Sequence, residues 1–287
     1  MSLTLEALAK VNRSLVVLGQ RTDGYHEIDT LFQTIDIADE LRFDEDDRLT
    51  LSIAGSAVPA DERNLVLRAA RALLKRARTS HGARLHLSKR IPVGAGLGGG
   101  SADAAATLMG LDVLWGLGLS EAELREVAAS IGSDVAFFLC GGRARGTGRG
   151  ERIEPLPDER DESIVLLLPP FGMPTPEVYG ALGADPLREL RPPRIPTGVM
   201  PDRNDLEVAA DRLRPELRTL REDLRAAGAA TSRLSGSGST VYGVFPTAAE
   251  ARRAAAALDG RCGARARVSR TVSRAEWRLR ALPPRPE

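Results

Sequence analysis

The sequence predicts an α+β fold built from two domains, and three observations support this. Short runs of alternating polar and apolar residues fill the first 55 residues, which is typical of strands. A glycine-rich loop is followed by two consecutive helical segments, not by the next strand of a parallel sheet. The polar stretch PLPDERDES then precedes a second series of strands and helices. We therefore expect domains at 1–160 and 161–287.

The elements of the first domain follow from local patterns. Residues 64–78 carry leucine and alanine near helical spacing, with Asn64 as the N-cap. The alternating stretch ARLHLS predicts a strand that leads into the glycine-rich loop. A helix is predicted over 101–117, and the next begins at Ser120, since Glu123 completes a capping box with it. The stretch CGGRARGTGRGE predicts a hairpin or a loop.

The second domain is predicted to begin with the buried strand SIVLLLPP. A proline-rich segment lies between Asp185 and Pro201, and a helix is predicted from about Asn204 to Ala227. A strand near ATSRL, the loop SGSGS, the strand TVYGVF, a helix and the strand ARVSRTV complete the order. This order is typical of an α+β sandwich, and we expect LPPRPE to be a frayed tail.

The composition excludes several classes of protein. With 40 basic and 39 acidic residues, the net charge of +1 gives no general attraction to nucleic acid or to an anionic membrane. No apolar run is long enough to span a membrane, and the first residues lack the apolar core of a secretory signal. Cys140 and Cys262 have neither metal-ligand spacing nor a disulfide pattern. We expect a cytoplasmic protein in which both thiols are buried.

Lysine is scarce, because only Lys10, Lys75 and Lys89 accompany 37 arginines. A lysine retained against this bias is a candidate for a position that needs a compact ammonium, although chance survival is the alternative. In the stretch LEALAKVN, strand alternation puts Lys10 on the same face as Leu8 and Asn12. Lys10 and Asn12 can therefore point into one site, the alternative being an exposed strand lysine.

The stretch IPVGAGLGGGSADAA, residues 91–105, contains a G-x-G-x-x-G match that is weak on its own. A dinucleotide fold needs a strand after the first helix, a Walker loop needs a lysine after its last glycine, and protein kinases need HRD and DFG strings. The sequence meets none of these requirements. Glycines that open into a helix still bring backbone amides close to an anion. A bound phosphate is the favoured interpretation, and a turn that only packs strand against helix is the alternative.

The same loop resembles the phosphate loop of the GHMP kinases, the superfamily of galactokinase, homoserine kinase and mevalonate kinase. The stretches AKVN, GQRTDGYHEIDTLFQ, GSDVAFFLCGG, PTPEVY and LSGSGSTVYG extend the resemblance over most of the chain. They are similar to the branch that acts on 4-diphosphocytidyl-2-C-methyl-D-erythritol, whereas the galactokinase string GEHTDY is absent. The resemblance implies a ribosomal-protein-S5-like nucleotide domain and a ferredoxin-like C-terminal α/β sandwich that completes the substrate cleft.

The implied activity is transfer of the γ-phosphoryl group of ATP to the 2-hydroxyl of that substrate, in non-mevalonate isoprenoid biosynthesis. Mg²⁺ would arrive with ATP, and transfer would be direct and in line. The implied partners are small molecules only, and we expect a monomer or a weak homodimer. A GHMP kinase with a mevalonate-type or homoserine-type acceptor, and a non-catalytic nucleotide-binding module, remain alternatives.

The resemblance also assigns roles to residues. Asp134 would be the catalytic base and Lys10 its electrostatic partner, although Asp134 as a helix N-cap is the alternative. The implied substrate-binding residues are Asn12, Tyr25, His26, Thr175 and Tyr179. The implied ATP-binding residues are Asn64, for which a plain helix cap is an equal alternative, and Pro92, Val93, Gly94, Ala95, Gly96, Leu97, Gly98, Gly99, Gly100, Ser101 and Ala102.

Four residues stay open at this point. Arg13 and Ser14 stand where an apolar residue usually follows the asparagine in this superfamily branch, so the local packing there is not predicted. Arg143 and Arg145 either meet the substrate diphosphate or face water.

Overall fold

The structure is a computed structural model that describes residues 2–183 and 202–283. The predicted proline-rich segment between Asp185 and Pro201 lies outside the described residues, and so do the last four residues of the predicted tail. The chain combines helices with two largely antiparallel sheets, which confirms the predicted α+β class. Within the described ranges, no helix is long and apolar enough to cross a membrane.

The first sheet has six strands in the order β3-β4-β2-β5-β6, with β1 paired along β2. The first two strands are long and antiparallel, whereas β3 and β4 are parallel. The predicted glycine and arginine stretch forms the β5–β6 hairpin. The strand bounds are β1 (Ser2–Gln20), β2 (His26–Asp46), β3 (Leu49–Ala54), β4 (Gly82–Ser88), β5 (Arg143–Gly148) and β6 (Arg152–Pro155).

Three helices cover this sheet: α1 (Leu65–Ala77), α2 (Gly99–Leu114) and α3 (Glu121–Ile131). The predicted N-cap of α1 is confirmed, since the Asn64 side chain accepts a hydrogen bond from the backbone N–H of Val66. The predicted capping box of α3 is also confirmed. Helix α2 begins two residues earlier than predicted, and its alanine-rich middle is buried on all sides.

The second sheet has the order β10-β7-β9-β8, and all its neighbouring strands are antiparallel. Its strands are β7 (Ser163–Leu168), β8 (Thr231–Leu234), β9 (Val241–Phe245) and β10 (Arg265–Arg270). Among the described residues of this half, the helices are α4 (Thr175–Leu182), α5 (Leu206–Leu213), α6 (Glu216–Ala226), α7 (Ala248–Leu258) and α8 (Arg274–Ala281). Helix α8 returns to the first half and buries Trp277 and Ala281 in its core. The domain boundary near residue 160 stays a prediction.

Two sequence predictions were wrong in this half. The single helix expected over 204–227 is divided into α5 and α6, because Pro215 cannot donate to the helix and forces Arg214 out of helical geometry. Cys262 is exposed, in a short 3₁₀ turn, whereas Cys140 is buried as expected.

A layer of buried apolar side chains joins the two sheets and carries the glycine-rich loop between them. The two β1 residues in it, Ala9 and Val11, flank the side chain of Lys10 in sequence. Ala95 and Leu97 of the loop lie in the same layer. The second sheet contributes Ile164, Leu166, Tyr242 and Val244. Packing in this layer therefore fixes the loop and the Lys10 segment against the second sheet.

Candidate active site

A cavity of about 1020 Å³ lies between the two halves of the molecule. Strand β1, the loop before α2, the turn at residues 133–134 and the β5–β6 turn line it from the first half. Helix α4 and the loop at residues 236–238 line it from the second. This volume is large enough for two small ligands to lie side by side.

The glycine-rich loop forms the centre of the cavity wall. Gly96 and Gly98 have φ of +74° and +72°, a region that favours glycine. A Cβ on Gly96 would stand 2.1 Å from the carbonyl oxygen of Ser235, and one on Gly98 would stand 2.6 Å from Cζ of Phe138. Only glycine therefore fits at these two positions.

The carbonyl groups of the loop are bound by the protein. The carbonyl oxygen of Ala95 accepts from the N–H of Thr240, and that of Leu97 accepts from the N–H of Lys10, both at 3.1 Å. Among the described residues, no acceptor pairs with the backbone N–H groups of residues 96–98. These amides and the first turn of α2 lie together on the cavity wall, which makes the loop a site for an anion.

Lys10, Asn12 and Asp134 form a polar cluster beside this loop. The Nζ of Lys10 donates to Oδ1 of Asn12 at 2.5 Å and to the carbonyl oxygen of Gly96 at 2.8 Å. It also lies 3.7 Å from Oδ2 of Asp134. Burial lowers the pKa of Lys10, and the negative charge of Asp134 opposes that shift. The ammonium thus ties the loop to a carboxylate that stays 32% exposed toward the cavity.

The pairing of strand β1 is irregular on both sides of Lys10 and Asn12. Its register against β2 shifts between Leu8 and Lys10 and again between Asn12 and Ser14. Such shifts re-aim side chains relative to regular alternation. The Nδ2 of Asn12 donates to Oγ1 of Thr30 at 2.7 Å, so the amide oxygen is left facing Lys10.

Aromatic rings form one end of the cavity. The rings of His26 and Tyr179 lie 4.8 Å apart, centre to centre, at an angle of 30°. Tyr25 is 53% exposed, and the guanidinium of Arg149 lies 4.7 Å from the centre of its ring. Burial lowers the pKa of His26, which favours its neutral form. The flat ring faces, together with an imidazole whose neutral form is favoured, suit this end to a polar aromatic group such as a nucleobase.

The cavity lining also includes the apolar residues Val58, Pro59 and Leu65, with Arg63 from the same stretch of chain. Lys89 also lines the cavity; its side chain is buried and donates to both Asp39 and Asp103, the latter at 2.8 Å. The carboxylate of Asp39 also accepts from the backbone N–H of Ile91 at 2.8 Å, which holds the entry to the loop.

Comparison with known proteins assigns a family to this architecture. Residues 64–142 match the GHMP kinases N terminal domain, and residues 199–264 match the GHMP kinases C terminal domain. A 4-diphosphocytidyl-2-C-methyl-D-erythritol kinase of Shouchella clausii is 38% identical over 91% of this chain and 92% of its own. The enzyme of the same name from Listeria innocua is 40% identical over 91% of this chain and 94% of its own.

The chain belongs to the GHMP kinases.

Solved structures agree with this assignment. A crystal structure of 4-(cytidine 5'-diphospho)-2C-methyl-D-erythritol kinase is 38% identical, with a TM-score of 0.77 over 93% of this chain and 98% of that one. A homoserine kinase from Cytophaga hutchinsonii has a TM-score of 0.72 over 95% of each chain at 18% identity, and this match supports the fold only. The predicted two-domain GHMP kinase fold is confirmed.

The cavity of this GHMP kinase brings together almost all the residues that the sequence singled out. Lys10, Asp134, Asn64 and every substrate-binding candidate line it, as do residues 92–101 of the loop. Ala102 does not, because its side chain faces the core and its N–H donates to the carbonyl oxygen of Gly98. The catalytic and binding roles of these residues stay predictions.

Asn64 lines the cavity but uses its polar atoms elsewhere. Its Oδ1 accepts from the N–H of Val66 at 3.0 Å, and its Nδ2 donates to the carbonyl oxygen of Pro59 at 2.9 Å. The helix-cap interpretation is therefore confirmed. Asp134, in contrast, lies in the turn before a 3₁₀ helix whose N-cap is Ala136, so its interpretation as the helix cap was wrong.

The sequence did not predict which arginine would face the cavity. Arg145 is paired with Asp29 through two contacts of 2.9 and 2.6 Å, and Arg143 is paired with Glu159 at 2.8 Å. Neither lines the cavity, whereas Arg149 does. The sequence feature that could have identified Arg149 is its position in the turn of the predicted hairpin, because turn residues are not paired with a neighbouring strand and commonly carry binding side chains.

Lys89, Asp103 and the loop at residues 236–238 also line the cavity without having been assigned to it. Within the two described ranges, no group of three or more histidine, cysteine or acidic side chains stands close enough to hold a metal ion. The acidic side chains on the cavity wall are Asp23, Asp103 and Asp134.

Proposed function

We propose that this GHMP kinase transfers the γ-phosphoryl group of ATP to the 2-hydroxyl of 4-diphosphocytidyl-2-C-methyl-D-erythritol. The observation that carries the proposal is the Lys10–Asp134 pair, 3.7 Å apart, which lies in one cavity between an anion-binding glycine loop and a cluster of aromatic rings. The relatives that are 38% and 40% identical over most of their length carry the name of this activity.

The glycine loop would hold the triphosphate. The unpaired amides of residues 96–98 and the first turn of α2 supply hydrogen-bond donors and partial positive charge. The apolar wall at Val58, Pro59 and Leu65 offers a surface for the adenine. Magnesium bound to the phosphates of ATP would neutralise the charge that develops during transfer.

Asp134 would act on the acceptor. The hydroxyl oxygen attacks the γ-phosphorus, the bond between that phosphorus and the bridging oxygen of ADP breaks, and the hydroxyl proton passes to the Asp134 carboxylate. The Lys10 ammonium lies beside this carboxylate and fixes its direction, because it is anchored to Asn12 and to the loop. Positioning and electrostatics, not covalent chemistry, then account for the rate.

The aromatic end would hold the cytidyl group of the acceptor. Tyr25 and the His26–Tyr179 pair offer ring faces for the base, and a neutral imidazole can exchange hydrogen bonds with its edge. Thr175 and Ser237, whose hydroxyl oxygens are 3.0 Å apart, lie on the same wall. Arg149 adds a cation at this end, suited to the diphosphate of the acceptor.

Purified protein decides between the acceptors. ADP release is measured with ATP, magnesium and, in separate reactions, the diphosphocytidyl substrate, mevalonate and homoserine. We expect turnover with the first acceptor only. Turnover with mevalonate or homoserine alone would assign another GHMP activity, and ATP binding without any turnover would favour a non-catalytic nucleotide-binding module.

A further inference from the structure

The Lys10–Asn12 segment of β1 is fastened to the second sheet at two points. Tyr242 of β9 is completely buried, and its hydroxyl donates to the backbone carbonyl oxygen of Asn12 at 3.0 Å. Beside it, the Arg13 guanidinium meets the Glu162 carboxylate through contacts of 2.5 and 3.3 Å. We call these two contacts the strand clamp.

The strand clamp acts on a segment that has irregular pairing on both sides. The register of β1 against β2 shifts just before Lys10 and just after Asn12, so regular strand pairing does not by itself set where these side chains point. Contacts from outside the sheet can therefore decide their position. Arg13 also belongs to the strand residues whose packing the sequence left open.

A short chain of contacts leads from the clamp to the reacting groups. Tyr242 holds the backbone of Asn12, the side-chain oxygen of Asn12 accepts from Lys10 at 2.5 Å, and Lys10 faces Asp134 at 3.7 Å. Neither Tyr242 nor Arg13 lines the cavity. Any effect of the clamp on turnover must pass through these intermediates.

We propose that Tyr242 and the Arg13–Glu162 pair position Lys10 and Asn12 for phosphoryl transfer, so that the second sheet sets the geometry of the catalytic strand. This inference rests on the proposed kinase function. Removal of the Tyr242 hydroxyl would leave the Asn12 carbonyl without that donor in a place that solvent does not reach, since Tyr242 is 0% exposed. The segment then relaxes, and Lys10 loses its fixed distance to Asp134.

The main test is Tyr242→Phe, which keeps the ring and deletes only the hydroxyl. We expect kcat to fall roughly three- to tenfold, in line with the loss of one buried hydrogen bond, while KM for ATP and for the acceptor stays within about twofold. Assays are run well below the unfolding temperature of the variant. A purely structural contact would lower that temperature and leave kcat unchanged, and this result would overturn the proposal.

The matched control is Ser14→Ala on the same segment. The Ser14 hydroxyl is buried and has no hydrogen-bond partner among the described residues, so its removal should change neither kcat nor KM. A double-mutant cycle tests whether the effect of Tyr242 passes through the Asn12 side chain: the effect of Tyr242→Phe on kcat is measured in the wild type and in the Asn12→Ala variant. Because the side-chain link to Lys10 is then already absent, the second change should lower kcat by less than about twofold. Full additivity would refute transmission through Asn12.

Glu162→Gln provides a second variant if Tyr242→Phe does not fold. Glu162 is 30% exposed, so this change loosens the clamp from the surface, and we expect kcat to fall about twofold with KM unchanged. Unchanged kcat in this variant would also count against the clamp. Failure of the wild-type protein to release ADP would refute the proposed function instead, and ATP binding measured by calorimetry separates that outcome from misfolding.

Discussion

Replacement of Asp134 by asparagine tests the proposed chemistry most directly. The change keeps the size of the side chain and removes its negative charge, so the geometry of the cavity is preserved. Asp134 is 32% exposed and its Oδ2 lies 3.7 Å from Nζ of Lys10. The variant therefore loses both a proton acceptor and the partner of a buried ammonium.

The two losses have different sizes. Coulomb's law with an effective dielectric constant of about 20 gives roughly 4 kcal/mol for two charges at this distance, and solvent around the exposed part of Asp134 reduces that figure. Most of this interaction is already present before the reaction begins, so it contributes little to the difference between ground state and transition state. General-base catalysis contributes about 10²- to 10⁴-fold. The loss of the proton acceptor is therefore the larger effect on rate.

We expect Asp134→Asn to lower kcat at least about a hundredfold and to leave ATP binding intact. Steady-state ADP release gives kcat and KM for both substrates, and calorimetry gives the affinity for ATP. The control is Asp47→Asn, at an exposed position that does not line the cavity, which should behave like the wild type. A variant at Asp134 that keeps more than one-tenth of the wild-type kcat would remove this residue from the mechanism as a base.

Three further predictions follow from the cavity wall. Gly96→Ala should raise KM for ATP more than about tenfold, because its Cβ would overlap a backbone oxygen, whereas Gly180→Ala, with no atom within 4 Å, should not. Arg149→Met should raise KM for the acceptor severalfold and leave KM for ATP unchanged, because the guanidinium lies over the Tyr25 ring. Burial raises the pKa of Asp103 to about 7, so the folded state holds a proton there that the unfolded chain has lost above pH 4. The free energy of unfolding of the wild type should therefore fall as the pH rises from 5 to 8, because folding then requires this buried carboxyl to take up a proton, which becomes less favourable as the pH rises. Asp103→Asn has no proton to lose there, so thermal unfolding should show a smaller fall for this variant over the same range.

Local signals made part of this structure predictable. The N-cap of α1 and the capping box of α3 depend on residues two or three positions apart, and the structure confirms both predictions. Helix α8, which was not predicted from the sequence, carries the same kind of signal, since the Ser273 side chain accepts from the N–H of Glu276. The break at Pro215 was likewise visible in the sequence.

Long-range pairing explains what the sequence could not provide. Strand register decided that Arg145 meets Asp29, 116 positions away, and that only Arg149 of this stretch reaches the cavity. Lys89 is a second example. The scarcity of lysine in the chain marked this residue as unusual, but its partner Asp39 lies 50 positions earlier and could not be predicted. For the lysine, residue type indicated a special environment, whereas for the arginines it did not. The partner of each residue was determined by the fold.

The carbonyl oxygen of Gly96 shows why both halves of the chain are needed at this site. It accepts from Nζ of Lys10 at 2.8 Å and from Oγ of Ser235 at 2.9 Å, so the loop, strand β1 and the second half meet at one atom. Movement of the second half therefore displaces the loop and Lys10 together. Ser235 is buried and does not line the cavity, so it supports the glycine loop without facing the cavity itself. The contacts of both the glycine loop and the lysine thus meet those of a serine that lies 139 positions after Gly96 in the chain.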